Sequence, residues 1–408
     1  DRVAEVVDAR PYSNLELISG RLIGIAVTVW VPLIGLLLLL QLLGWLFMST
    51  AMEWRSLAGF GLVQAPAAFL LVLSLTFLVT LLVRNRALAA VVLVALLAAS
   101  VWMMLYLPIT DVPLLDVFSA YSAEFPSDIV GRVFDAATCA QRLAYVLVSL
   151  GLLALAAAAH PRPDGGSRPR RALAGALLAL AGVAVVLALV GKNRGDLRQV
   201  DAWRAAHAAR AAGAAPDIEH VRAEVSVEPG RMLSFTAELR VTAPAPLTSA
   251  LFTLNPGLAV QKVERDGREV PFEFRDGLLD VKTGPLAAGA TAVLKVAASG
   301  KPDRRFAFLD AARRPFELTP MEGQVFLMGY EALVFDRRHV ALLPGTFWLP
   351  AAGAGVGRDD PRKRAPDFYD IDLTVEVPEG WLAAGPGRRQ PAAGAPAGRT
   401  RFRFAPGA

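Results

Sequence analysis

Residues Leu22–Phe47 read LIGIAVTVWVPLIGLLLLLQLLGWLF, a run without one charged side chain. A helix needs about 20 apolar residues to cross the hydrocarbon core of a bilayer, because lipid offers no partner to an unpaired backbone N–H or C=O. Four more segments fit that description: about Leu57–Val83, Ala87–Leu107, Leu143–Ala159 and Ala172–Val190. The fourth is the shortest. Pro32 lies inside the first span and predicts a kink. The runs predict a membrane α-helical bundle of about five transmembrane helices over residues 22–191. Trp30, Trp45, Trp54, Trp102 and Tyr106 suit either interfacial depth or burial between helices.

Loop charges predict the orientation. The turn after the second span reads Arg84-Asn85-Arg86, and His160–Arg171 carries four arginines. The segment before the first span holds Arg2, Arg10 and Arg21. With five spans these three places share one side, which the positive-inside rule makes cytoplasmic. The opposite connections, 48–56 and 108–142, carry Glu53, Asp111, Asp116, Glu124, Asp128 and Asp135 with few arginines. Everything after the fifth span is then expected outside the cytoplasm. In 108–142, Pro108, Pro113 and Pro126 break the chain, and Asp128–Ala140 is expected as a surface helix started by Ser127.

The reading changes beyond the spans. Gly195–Gly213 has Leu197, Val200 and Trp203 on one face, which predicts a linker helix (domain 192–215) ended by Pro216. In VRAEVSVEPGRMLSFTAELRV, residues Val221–Val241, apolar and polar residues alternate on both sides of Pro229-Gly230. That is a hairpin. Further strands are expected near 248–254, 258–264, 269–274, 278–282, 291–297, 324–328, 369–377 and 400–404, with Pro256-Gly257, Asp266-Gly267 and Asp276-Gly277 as turns. Residues 216–408 therefore read as an all-β sandwich or saddle of antiparallel sheets, with loops at 351–366 and 383–399.

Composition agrees with this division. The chain has 408 residues, 54% apolar and 19% charged, with formal net charge +5. The arginines are scattered and flank apolar spans, so no nucleic-acid partner is expected. One cysteine, Cys139, excludes an intrachain disulfide and reads as a small packing residue. No span carries Asp, Glu or Lys near its centre, which argues against an ion-coupled carrier. No secretory signal precedes the spans, and both ends read as cut from a longer protein.

No catalytic motif is complete. The four histidines, His160, His207, His220 and His339, start no His-Glu-x-x-His helix. His220 with Glu224 sits on an alternating strand and reads as a surface histidine. Neither a Gly-x-Ser-x-Gly elbow nor a phosphate loop is present. Gly353–Gly357 neither follows a strand nor opens a helix in this reading. Asp359-Asp360 and the trio Asp367, Asp370 and Asp372 read as a solvated loop and an edge strand. No catalytic, cofactor or metal residue is expected in this chain.

Residues 1–21 predict a short amphipathic cytoplasmic segment. Val3, Val6 and Val7 share a face, Pro11 breaks it, and Ser13 or Asn14 caps the next helix. The stretch DRVAEVVDARPYSNLELISGR followed by five spans resembles the permease half of bacterial ABC-type exporters. Glu5, Arg10, Pro11, Ser13, Gly20 and Arg21 match that family's coupling segment. The resemblance implies docking of a separate ATPase subunit, with ATP bound there, against residues 1–20 and the loops 84–86 and 160–171. It also implies pairing with a second permease half or a second copy, and a first helix upstream of Asp1.

The second half resembles the amino-terminal β-domain of the zinc-dependent alanyl aminopeptidase family. The matching stretches are Ile218–Arg231, LLPGTFWLPAAG (Leu342–Gly353) and YDIDLTVEVPEGWLAAGPG (Tyr369–Gly387). The family's Gly-x-Met-Glu-Asn segment and zinc helix are absent, and Met321-Glu322-Gly323 is not that segment. Any zinc would belong to a domain beyond Ala408, so no ligand carries over. Three functions follow as expectations: an export permease of the bacterial inner membrane with an extracytoplasmic β-domain, a membrane-anchored zinc aminopeptidase, or a non-catalytic binding module on an anchor.

Overall fold

The structure is a computed structural model; it describes residues 12–48, 54–108, 110–117, 136–211, 215–307, 309, 314, 333–356, 367–392 and 394–407. Two compact units divide it, one running to Arg194 and the other beginning at Gly195.

The first unit is helical. Helix α1 spans Asn14–Met48, starting well before the apolar run, with Pro32 inside it. A reciprocal cap fixes its start. The Ser13 hydroxyl accepts from Glu16 N (3.2 Å), and the Glu16 carboxylate accepts from Ser13 N (2.7 Å). Ser-x-x-Glu is a capping box, which satisfies two otherwise unpaired amides.

The second span is not one regular helix. It runs as α2 (Trp54–Gly59), a π-helical turn (Phe60–Gln64) and α3 (Ala65–Leu82). Pro66 has no N–H to give the carbonyl one turn back, so the helix widens there and Ala65 N bonds Phe60 O. Helix α4 (Arg86–Tyr106) is capped by Asn85, whose side chain accepts from Ala87 N and Leu88 N.

Helix α5 is the short turn Val112–Leu115, and α6 spans Ala136–Ala159. This corrects one expectation. The helix that holds the expected span 143–159 already covers residues 136–142, so 136–140 belong to it instead of to a separate surface helix; 128–135 lie outside the described residues. Its polar positions stay helical because they have partners. Gln141 Nε2 donates to Pro113 O (2.6 Å) and Leu114 O (2.7 Å), and the Tyr145 hydroxyl donates to Leu114 O (3.0 Å). Cys139 is exposed on this helix, not packed.

Helix α7 runs unbroken over Arg168–Arg210, so the expected fifth span and linker helix are one element. Nothing between Val190 and Gly195 carries a breaker stronger than Gly191, and single glycines weaken a helix without ending it.

Among the described residues, five helices, counting α2 to α3 as one, are long and apolar enough to cross a membrane. Leu39, Leu40, Val91, Val94, Leu177 and Leu180 are all half or more exposed. Helix α6 is the most enclosed, with 44% of its apolar window buried against 6% for α1 and α4. It meets α7 backbone to backbone. A Cβ added at Gly151 would fall 2.6 Å from Ala179 N and Gly175 O, and one at Gly182 would fall 2.5 Å from Ala144 O. Close approach through small residues is how helices associate where lipid removes the hydrophobic drive. Ile18, Leu22, Leu153, Ala156 and Ala157 form a buried cluster with Leu70, Leu73 and Phe77 against it.

The second unit is built on β1 (Asp217–Glu228) and β2 (Met232–Thr242), the hairpin read from the alternation. Ile218, Val221, Ala223, Val225 and Val227 are buried on one strand; Leu233, Phe235, Ala237, Leu239 and Val241 are buried on the other. Further strands are β3 (Ala250–Thr253), β4 (Leu258–Arg265), β5 (Arg268–Glu269), β6 (Phe272–Arg275), β7 (Leu278–Val281) and β8 (Thr291–Gly300). Then come β9 (Leu333–Phe335), β10 (Val340–Leu342), β11 (Ala351–Ala352), β12 (Asp370–Pro378), β13 (Arg388–Gln390) and β14 (Arg399–Ala405). An eight-stranded sheet has the order β13-β14-β12-β1-β2-β8-β4-β5, a four-stranded sheet β11-β3-β7-β6, and β9 pairs with β10. One apolar cluster draws on strands of both larger sheets.

Three details depart from the sequence reading. The β1–β12 pair is parallel. The expected strand 269–274 is two strands in different sheets, because Pro271 cannot donate to a ladder. Strands β9, β10, β11 and β13 were not expected; β13 interrupts the expected loop 383–399, and β11 precedes the glycines at 353–357. The expected strand 324–328 lies outside the described residues, as do Met321-Glu322-Gly323 and Asp359-Asp360. The turns hold: Asp266 (φ 50°) with Gly267 (φ 82°), and Asp276 (φ 55°) with Gly277 (φ 81°), are two-residue turns whose positive φ values match the strand twist.

Candidate functional site

The capped start of α1 is the first candidate. Glu5, Arg10 and Pro11 of the expected coupling segment lie outside the described residues. Ser13 caps α1. Gly20 has nothing within 4 Å of an added Cβ, and Arg21 is exposed. The structure brings the beginning of this helix onto the arginine-rich connection between α6 and α7. Asn14, wholly buried, donates its backbone N–H to Asp164 Oδ2 (2.8 Å) and its side-chain amide to Arg162 O (2.9 Å). Arg162 lies over the Tyr12 ring at 4.6 Å. Asp164 also pairs with Arg171 and accepts from Gly166 N (3.1 Å). These donors, the Asn14 amide foremost, hold the Asp164 carboxyl down to about 2. Segment and loop, expected only to share a side, are joined through the Asp164 carboxylate, the Arg162 carbonyl and the Arg162–Tyr12 contact. The signal lay in Asp164, the acidic residue in a basic loop, and in Ser-x-x-Glu.

The second candidate is a groove of about 620 Å³ on the polar face of the eight-stranded sheet. Arg222, Glu224 and Ser226 of β1, Ser234 and Thr236 of β2, Asp372, Thr374 and Glu376 of β12, and Arg401 and Arg403 of β14 line it. They share this face because alternate strand residues do. Arg403 grips Asp372 bidentately (2.7 and 3.1 Å), and Arg401 binds Glu376 (Nε, 2.8 Å). Arg403 holds the Asp372 carboxyl below its ordinary range. Opposite charges neutralised in pairs on a sheet face stabilise strand pairing and supply no free base. Asp370 is exposed at the start of β12.

Among the described residues no three His, Cys, Asp or Glu side chains gather. His207 is fully buried; its Nδ1 accepts from Gly355 N (2.8 Å) and its Nε2 donates to Asp276 O (2.9 Å). It packs edge-on to Phe306 (5.4 Å), beside Trp203. His160 accepts from Arg162 N (3.3 Å) in its loop, His220 lies on β1 beside Asp370, and His339 caps the β9–β10 turn through its carbonyl. Gly355 therefore belongs to a buried packing motif, not to a phosphate cradle.

No family model matches the chain. No curated protein matches it either. Among solved structures it is similar to the M1 zinc metallopeptidase of Deinococcus radiodurans, with 21% identity over 47% of this chain and 39% of that chain, at TM-score 0.35. A mutant of that enzyme bound to a Tyr-Ser-Ala substrate gives 20% identity, the same coverage and TM-score 0.35. Legionella pneumophila aminopeptidase A with aspartic acid gives 10% identity over 47% of this chain and 20% of that one, at TM-score 0.29. The chain spans well under half of either enzyme, and at these scores the likeness assigns no activity.

Proposed function

We propose that the chain is a membrane-embedded helical unit presenting a β-rich domain on the outer face of a bacterial inner membrane. The observation that carries this reading is the set of five long apolar helices among the described residues, four of them largely exposed and α6 packed on α7 through glycine backbones. Water would penalise such surfaces and lipid would not. The arginines at 84–86 and 160–171 put those turns in the cytoplasm, and the odd count puts residues after Arg210 outside. Alkaline phosphatase fused after Ala211 is expected to be active, and fused at Gly165 inactive. The reverse pattern, or activity at both places, sinks the topology.

The finer reading is an ABC-type export permease. The docking of the capped α1 start on the loop containing Asp164 supports it, since segment and loop then offer one surface to an ATP-hydrolysing subunit. Co-purification of an ATPase subunit, lost when residues 1–20 are replaced, is the expected result. Absence of any ATPase from intact chain in mild detergent overturns it. For the β-domain, the stretches Leu342–Gly353 and Tyr369–Gly387 favour an aminopeptidase-type module acting beside a separate catalytic domain. Zinc content and aminopeptidase activity of the full gene product decide between that module and a purely binding one.

A further inference from the structure

Between α1 and α3 a trough of about 450 Å³ opens on the outside of the helical unit. Gly24, Ile25, Thr28, Val29 and Phe77 form its walls, and Arg21 stands at one end. Gly24 has no side chain, and a Cβ built there would stand in open space, with nothing within 4 Å. Thr28 turns its hydroxyl back onto Gly24 O (2.6 Å), so the wall presents no spare donor. Arg21 is exposed and forms no ion pair with a described residue, whereas Arg171 at the same end of the unit is paired with Asp164.

An apolar trough closed by a single cation has the chemistry of one amphiphile. We infer that Arg21 and the trough lined by Gly24 bind an anionic phospholipid, its phosphate on the guanidinium and an acyl chain against Gly24, Thr28 and Phe77. Guanidinium suits phosphate because its planar fork donates two parallel hydrogen bonds. Basic pockets between spanning helices on the cytoplasmic side take acidic headgroups. A soluble phosphate satisfies Arg21 and leaves the trough empty, and a helix of a second copy fills the trough and leaves Arg21 unpaired. The inference rests on reading α1 and α3 as lipid-spanning.

The test uses the intact chain in nanodiscs of phosphatidylcholine with a minor share of phosphatidylglycerol, with bound lipid counted by native mass spectrometry. Wild-type chain is expected to retain phosphatidylglycerol preferentially. Arg21→Gln should lower that retention about tenfold, one charge-assisted contact, while Arg86→Gln should not change it. Gly24→Leu should displace both lipids. Equal retention by wild type and Arg21→Gln overturns the site. Competition by inorganic phosphate with full retention in Gly24→Leu also overturns it, showing a soluble-anion site. So does a wild-type dimer that Gly24→Leu dissociates, showing a second copy in the trough. Alkaline carbonate separates the two levels: a chain washed from vesicles ends the membrane reading and this inference with it. A chain that stays, without preference for phosphatidylglycerol, ends only the lipid site.

Discussion

His207 holds two backbone groups that have no other described partner, and it does so only as a neutral ring. Its Nδ1 must accept from Gly355 N–H, so Nε2 carries the proton given to Asp276 O. Replacing it by leucine keeps the packing on Phe306 and leaves a buried donor and acceptor unsatisfied. His207→Leu is expected to cost about 2 kcal/mol or more, seen as earlier urea unfolding of the β-domain. An unchanged midpoint would mean the two bonds are not formed. Asp164 makes a pH prediction. The folded state holds this carboxyl at about 2 against an ordinary 3.8. Its contribution is therefore complete above about pH 4 and is lost as pH falls through about 2. Protease cleavage in the loop 160–167 should appear only in that acid window in wild type. In Asp164→Asn, which loses the charge paired with Arg171, cleavage should appear near neutrality.

Among elements, the α6–α7 contact is the sharpest case. No side chain at Gly151 fits without moving backbone atoms of Ala179 and Gly175. Gly151→Val is expected to separate the helices at a cost of about 1–3 kcal/mol, the usual range for overpacking. Gly191→Ala on the same α7 meets nothing within 4 Å and should be neutral or slightly stabilising. Thermal unfolding in detergent reads both, and similar melting of the two variants would contradict this packing. At the same scale, Asp-Gly dipeptides announced the β4–β5 and β6–β7 turns. They could not announce that Pro271 sends the strands on its two sides into different sheets.

Over the whole molecule, each unit has its own apolar cluster: Ile18, Leu22, Leu153, Ala156 and Ala157 in one, the β1–β2 hairpin and its neighbours in the other. Two separate cores predict two unfolding transitions. Urea should remove the β-sheet circular dichroism of the intact chain in detergent well before the helical signal, because detergent keeps the apolar helices solvated. A single coincident transition would show that the units are energetically one.

Sequence alone determined the features carried by local pattern: the uncharged runs that became α1, α3, α4, α6 and α7, the alternation that became β1 and β2, and the Asp-Gly turns. Each is set by the period of the backbone or by the φ a residue tolerates, and neither depends on distant neighbours. Tertiary structure alone decided the parallel β1–β12 pairing, the burial of His207, and the docking of Asn14 on Asp164, 150 residues further along the chain. Those depend on which segments meet after the chain has closed long loops, and no local periodicity records such meetings.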